Sequence, residues 1–258
     1  MFPPTLPRDP AVASPSPFGT VGDDIVAPVY TETQDASWRE LFGIQGRLAA
    51  RKACRPYLEA RREFERFGDA VPSLRAISAH LEASTGWRVV KAEGYVPPSQ
   101  FHRMLADKLF PSMDEFRHAD ELLSTPAPDM FHDLLGHVAA LHSPTYASIY
   151  RDFGRVGANA HHDEQHLWLQ KIYVYAMEYG VVREGDGVRA CGGALLTSPG
   201  ELEVFDGDAL ERTPWEWDDV LAADLNVYES FTRVFVLPDL EWFHATFLDW
   251  ARAEKLLD

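Results

Sequence analysis

Apolar residues recur along this chain at intervals of three and four, the spacing of one helix face, and only rarely in the alternation of a strand. Thr31-Glu32-Thr33-Gln34 has capping-box chemistry, and Trp38, Leu41, Phe42, Gln45 and Leu48 follow on one face. A second helix is expected over Ala53 to Phe67. A third opens at Pro72-Ser73, carries Leu74, Ile77 and Leu81, and ends near Gly86. Trp87 to Ala92 has strand character, and Gly94-Tyr95-Val96-Pro97-Pro98 reads as a loop. Ser99 is placed to cap a helix bearing Phe101, Met104, Leu105 and Leu109. Asp129 reads as the N-cap of a helix with Met130, Phe131 and His132 in its first turn. Ser143-Pro144 starts another, to about Phe153, and a long helix runs from about Glu164 to Glu178. Val181 to Ala190 reads as a hairpin turning at Gly185-Asp186-Gly187, Val234-Phe235-Val236 as a strand, and the chain closes with a helix from about Asp239. The expected fold class is α+β, mostly α with a small β component.

The 258 residues allow one large domain with a substantial core. No repeat or composition break divides them, so residues 29–258 are expected to form a single domain. Residues 1–28 hold seven of the eighteen prolines and almost no periodicity, which reads as an extended arm. Forty acidic residues against twenty-four basic ones give a formal charge of −16, which disfavours nucleic acid and anionic membrane as partners. Cys54 and Cys191 are too few for a disulfide framework or a thiolate cluster. With no long apolar run and no secretory signal pattern, a cytoplasmic location is the expectation.

Candidate chemistry concentrates in Phe131-His132-Asp133-Leu134-Leu135-Gly136-His137-Val138. Neutral imidazole is the commonest side-chain metal ligand, so two histidines in one apolar helix raise a metal site. Their spacing argues the other way. Residues five apart on a regular α-helix point about 140° apart, against about 40° for the i, i+4 pair of known zinc helices. Both rings reach one ion only if the helix is distorted, for which Gly136 is the expected place. Otherwise they are unrelated, one buried and one at the surface. Two histidines and one carboxylate make a facial triad suited to non-haem iron(II), and Glu178, in an aromatic helix where an unpaired carboxylate would be costly, is the best carboxylate candidate. Val174 lies four residues earlier on its face. Lys171 projects the same way, so a Glu–Lys surface pair is the other reading of Glu178.

The run Pro126-Ala127-Pro128-Asp129-Met130-Phe131-His132-Asp133-Leu134-Leu135-Gly136-His137-Val138 resembles the iron-binding signature of the pterin-dependent aromatic amino acid hydroxylases. Further blocks follow in that family's order. They are Tyr30-Thr31-Glu32-Thr33-Gln34 with Trp38 and Leu41-Phe42, Thr85 to Val90, Ile172-Tyr173 with Glu178-Tyr179-Gly180, Gly192 to Glu201, and Glu229-Ser230-Phe231. The bacterial phenylalanine 4-hydroxylases are the branch most resembled. The resemblance implies iron(II) held by His132, His137 and Glu178. It implies Arg117 on the substrate carboxylate, with Asp129 holding that arginine, and Thr125, Pro126, Val174 and Thr197 lining the amino acid pocket. Gly94, Tyr95 and Val96 correspond to the pterin loop, Phe101 to the aromatic stacked on the pterin, and Asp133 and Tyr173 to positions near pterin and iron. The implied reaction uses tetrahydrobiopterin or a related tetrahydropterin, with O2 as co-substrate. It hydroxylates the ring of a free aromatic amino acid, phenylalanine by the habit of the family.

Three positions depart from that pattern. Val174 stands where members acting on phenylalanine or tyrosine usually have Trp and tryptophan hydroxylases have Phe; Ala194 replaces a glycine, and Tyr179 a phenylalanine. The same chemistry on tryptophan or a substituted phenylalanine is therefore the alternative substrate reading. Asp133 stands where animal members have Glu, as bacterial members commonly do. A zinc hydrolase with the same ligands, or a non-catalytic small-molecule-binding relative, are readings of other classes. With no room for a regulatory domain before Tyr30 and no long C-terminal heptad helix, a monomer is expected.

Overall fold

The computed structural model describes residues 28–92, 96–118, 122–123, 128–208, 210–225 and 232–258. The expected arm, Gly94, Tyr95, Thr125, Pro126 and the Glu229-Ser230-Phe231 block lie outside them. The described chain is mostly helical with a small β component, as the periodicity predicts.

Helix α1, Glu32–Lys52, begins on the expected capping box: Gln34 N–H donates to Thr31 Oγ1, and Thr31 N–H donates to Gln34 Oε1. It buries Trp38, Leu41, Phe42, Gln45 and Leu48. The expected second helix divides into α2, Arg55–Arg61, and a 3-10 turn, Arg62–Phe67. Helix α3, Leu74–Thr85, is capped by Ser73 and stops at Gly86, whose φ of +74° belongs to the left-handed region that glycine enters without strain.

The next stretch corrects the sequence reading. Pro97, not Ser99, caps α4, Pro98–Ala106, because Pro98 supplies a first-turn residue with φ already set. The helix ends before Leu109, with Lys108 at φ +57°, and Leu109–Ser112 forms a strand instead. That strand, β2, pairs in parallel with β1, Arg88–Lys91, in register Arg88 with Leu109. Parallel strands cannot be joined by a tight turn, so α4 is their crossover. Helix α5, Pro144–Ala158, packs on α4 and runs past the expected end at Phe153.

The second sheet has four strands, in the spatial order Gly187–Ala190, Val181–Glu184, Arg233–Leu237 and Glu211–Pro214. Strands β3, Val181–Glu184, and β4, Gly187–Ala190, form the expected hairpin around Gly185, φ +61°. Strand β6, Arg233–Leu237, lies parallel to β3 and to β5, Glu211–Pro214, a strand the alternation did not reveal. After the short helices α8, Pro199–Val204, and α9, Trp217–Ala222, helix α10, Leu240–Ala253, is capped by Asp239 and buries Phe243, Phe247 and Trp250.

Two segments leave α-helical geometry. Asp129 caps a short α turn that becomes π-helical over His132–Val138, and α6, Asp163–Ile172, becomes π-helical over Tyr173–Glu178. Ala139 N–H donates to Leu134 O and Tyr179 N–H to Val174 O, both at 2.8 Å and both five residues back. The first π segment is gripped from two sides. Tyr57 Oη donates to Leu135 O at 2.6 Å, accepts from Gln45 Nε2, and Gln45 Oε1 accepts from Arg61 Nε. On the other side it meets α7, Gly193–Thr197, backbone to backbone: a Cβ on Gly136 would lie 2.8 Å from Gly193 O and 3.0 Å from Gly193 Cα.

Gly136→Ala should therefore cost about 1–3 kcal/mol, the usual range for overpacking a tight core. Urea unfolding should show the midpoint fall, and an unchanged midpoint would contradict the close approach.

Candidate metal centre

A π turn closes its hydrogen bond over five residues instead of four, so side chains five apart come into line. That is what the histidine spacing requires. His132 Nε2 and His137 Nε2 lie 3.1 Å apart, and Glu178 Oε2 is 3.5 Å from the first and 3.3 Å from the second. The three donor atoms all fall within 4.8 Å of one another, and no other group of three potential ligands occurs among the described residues. All three side chains are buried. The helix is distorted over the whole segment, and Gly136 contributes close packing rather than a hinge. Lys171 is not the partner of Glu178: its Nζ donates to Leu221 O.

Electrostatics favour a cation at this point. Burial pushes His132 down to about 3, so its imidazole is neutral near pH 7. Burial alone would raise the Glu178 carboxyl, but the facing His137 and His132 outweigh it and hold the group ionised. A carboxylate and two imidazole nitrogens converge at a buried point. They repel one another unless a proton or a metal ion lies between them.

Hydroxyl groups orient both rings. Thr197 Oγ1 donates to Gly193 O at 2.7 Å, so it accepts from Nδ1–H of His132 at 3.1 Å, leaving the Nε2 lone pair for the centre. His137 Nδ1 lies 2.6 Å from Tyr150 Oη on α5. Phe110 stacks on the His137 ring at 5.4 Å, and a Cβ on Gly193 would fall 2.4 Å from its Cε1. Tyr150, Phe110 and Gly193 were not foreseen. Tyr150 sits among Tyr146, Ile149 and Phe153 in an ordinary amphipathic pattern, and only the fold shows what its hydroxyl meets.

Asp129 joins the centre to a buried cation. Its Oδ1 accepts from His132 N–H at 3.0 Å, the N-cap bond, and from Arg117 Nη2 at 2.8 Å; its Oδ2 accepts from Arg117 Nε at 2.8 Å. Arg117 Nη1 also donates to Leu122 O. Of the expected pterin residues, Tyr173 lies beside the His137 ring and Phe101 beside Tyr173. Phe101 meets Tyr173 edge-on at 5.6 Å, and Tyr173 lies 6.1 Å from the His137 ring. Asp133 Oδ2 accepts from Met113 N–H, and burial raises its carboxyl to about 7. Val96 is half-buried after the undescribed loop residues, and Val174 is buried in the turn that ends at Glu178.

Comparison with known proteins follows this geometry. The chain matches the family model for biopterin-dependent aromatic amino acid hydroxylases over residues 17–253. It is 38% identical over 199 residues to the chloroplastic phenylalanine 4-monooxygenase of Chlamydomonas reinhardtii, covering 76% of this chain and 54% of that protein. It is 31% identical over 212 residues to the phenylalanine-4-hydroxylase of Vibrio cholerae, covering 82% and 73%. The apo cold-active phenylalanine hydroxylase of Colwellia psychrerythraea superposes with a TM-score of 0.81 at 26% identity, over 92% of this chain and 94% of that one. The Chromobacterium violaceum phenylalanine hydroxylase, solved with iron(III) and 7,8-dihydrobiopterin, also gives 0.81 at 26% identity, over 87% and 82%. The chain thus spans about half the length of the algal relative and most of the bacterial ones.

Replacing Asp129 by Ala removes an N-cap and leaves the Arg117 charge buried without its carboxylate. The expected loss is about 3–5 kcal/mol, the range for breaking a buried pair. Chemical denaturation measures it, and a loss below about 1 kcal/mol would reduce Asp129 to a helix cap.

Proposed function

This chain is a member of the biopterin-dependent aromatic amino acid hydroxylase family, and from that premise we propose that it is an iron(II)- and tetrahydropterin-dependent monooxygenase of a free aromatic amino acid, phenylalanine first. The observation that carries the reading is the convergence of His132, His137 and Glu178 from two separate π turns on one buried point. Two neutral nitrogens and one carboxylate suit a divalent ion and leave positions open on it. Bound iron(II), with a tetrahydropterin and O2 beside it, supplies the activation of oxygen that ring hydroxylation requires.

The chain's own residues bind, orient and exclude water. His132, His137 and Glu178 would hold the ion. Of Arg117's five N–H donors, two are committed to Asp129 and one to Leu122 O, which leaves two for a substrate carboxylate. Thr125, Pro126, Val174 and Thr197 are assigned to the pocket for the aromatic side chain. Phe101 and Tyr173 offer ring surface for the pterin, with Asp133, Gly94, Tyr95 and Val96 at its polar edge. Burial of the ligand set keeps bulk water from the reacting centre.

Val174 supports a second substrate reading. It is a buried aliphatic residue in the turn carrying Glu178, so the wall there is smaller than an aromatic residue would make it. Together with Ala194 and Tyr179 it favours tryptophan or a substituted phenylalanine. The molecule is read as a monomer, because α10 folds its aromatic face onto the core. No described helix is long and apolar enough to cross a membrane; the free thiols of Cys54 and Cys191 favour a reducing cytoplasm.

His132→Ala or Glu178→Ala should abolish iron-dependent, pterin-dependent hydroxylation and lower metal content while the helical circular dichroism persists. Full activity in either variant would remove that residue from the ligand set, and zinc uptake without oxygen consumption would favour a hydrolase. A panel of phenylalanine, tryptophan and tyrosine with a synthetic tetrahydropterin tests the pocket. Val174→Trp should shift the tryptophan-to-phenylalanine ratio of kcat/KM toward phenylalanine by roughly 10–200-fold. A wild-type enzyme strongly preferring phenylalanine, with para product, would dismiss the second reading.

A further inference from the structure

The imidazole of His137 is held on its faces by groups that carry no directional preference. Phe110 stacks on it at 5.4 Å and 29°, Tyr173 lies 6.1 Å away, and the Gly193 backbone closes against its edge. These contacts fix where the ring sits but say little about which nitrogen faces the centre, because Nδ1 and Cδ2 exchange places when the ring turns over. On the side of the ring away from the centre, the polar contact that distinguishes the two is the 2.6 Å approach of Tyr150 Oη to Nδ1. The phenol is itself fully enclosed, 1% exposed, with Trp87 edge-on at 6.4 Å and Phe110 at 6.2 Å. It has little freedom to follow the imidazole if that ring rotates.

We propose that Tyr150 is a positioning residue of the metal centre, its phenol oxygen accepting from Nδ1–H of His137 so that the Nε2 lone pair is aimed at the ion. The inference rests on His132, His137 and Glu178 being the metal ligands. It parallels the contact of Thr197 with His132: each imidazole leans on a neutral hydroxyl, one from α7 and one from α5. Neither is backed by a carboxylate. The phenol O–H can also donate to Nδ1 when no metal is present, so a single contact serves both tautomers and turns about with ion binding.

Tyr150→Phe removes one oxygen and keeps the ring packing. Co(II) titration of the purified protein, followed by calorimetry and by its visible absorption, is the measurement. Partners of this kind are typically worth 10–100-fold in metal affinity. Y150F should therefore bind Co(II) at least about tenfold more weakly, with displaced absorption bands. Tyr146→Phe is the control on the same helix, since it loses a buried hydroxyl contact to Cys191 O but none to a ligand. It should lower Tm while leaving Co(II) affinity and spectrum as in the wild type. Equal binding and identical spectra in wild type and Y150F would overturn the proposal, as would a Y146F change as large as that of Y150F. A wild-type protein that takes up no Co(II) would overturn the metal reading itself. If Y150F does not fold, 15N NMR of Zn(II)-loaded wild type decides. Protonated Nδ1 with metallated Nε2 at His137 supports the role, and metallation at Nδ1 ends it.

Discussion

Everything at the centre depends on a hydrogen bond that reaches back five residues instead of four. On an α-helix His132 and His137 would point to different sides. The π turn brings both Nε2 atoms to within 3.1 Å. A second π turn delivers Glu178 from another helix to the same place. Such turns are rare because their hydrogen bonding is no better than that of an α-helix and their packing is wider. Here the surroundings support them: Asp129 caps the start, Tyr57 takes the Leu135 carbonyl, and α7 presses on Gly136.

These supports are shared rather than separate. Asp129 is at once a helix cap and the anchor of Arg117. Thr197 bonds its own helix and a ligand ring, and Tyr57 connects the histidine segment through Gln45 to Arg61 on α2. Buried polar networks of this kind are stiff when every member is satisfied. The Arg117 guanidinium and the His132 backbone N–H are therefore two hydrogen bonds apart through one carboxylate.

Much of this was legible in residue pattern. Thr31 closes the expected capping box, the helices expected to open at Ser73 and near Asp239 do so, and Gly185 turns the expected hairpin. Strands β2 and β5 were missed for a physical reason. Leu109-Phe110-Pro111-Ser112 and Glu211-Arg212-Thr213-Pro214 are too short and too mixed to alternate, and only tertiary pairing makes them strands. The three metal-binding candidates were visible as residue types, while helix geometry spoke against two of them. Propensity contains no signal for a π turn that tertiary packing imposes. Tyr150 was invisible for a related reason: a tyrosine on a buried helix face has the same pattern whether its hydroxyl meets a ligand or a carbonyl.

The backbone contact of Gly136 with Gly193 has a consequence for how such an enzyme can diverge. With a Cβ position on Gly193 only 2.4 Å from His137 Cε1, the wall behind that ligand is already main chain. It offers no side chain to trim or enlarge. Variation at this edge is thereby left to neighbours that do carry a side chain, such as Ala194 on the same short helix.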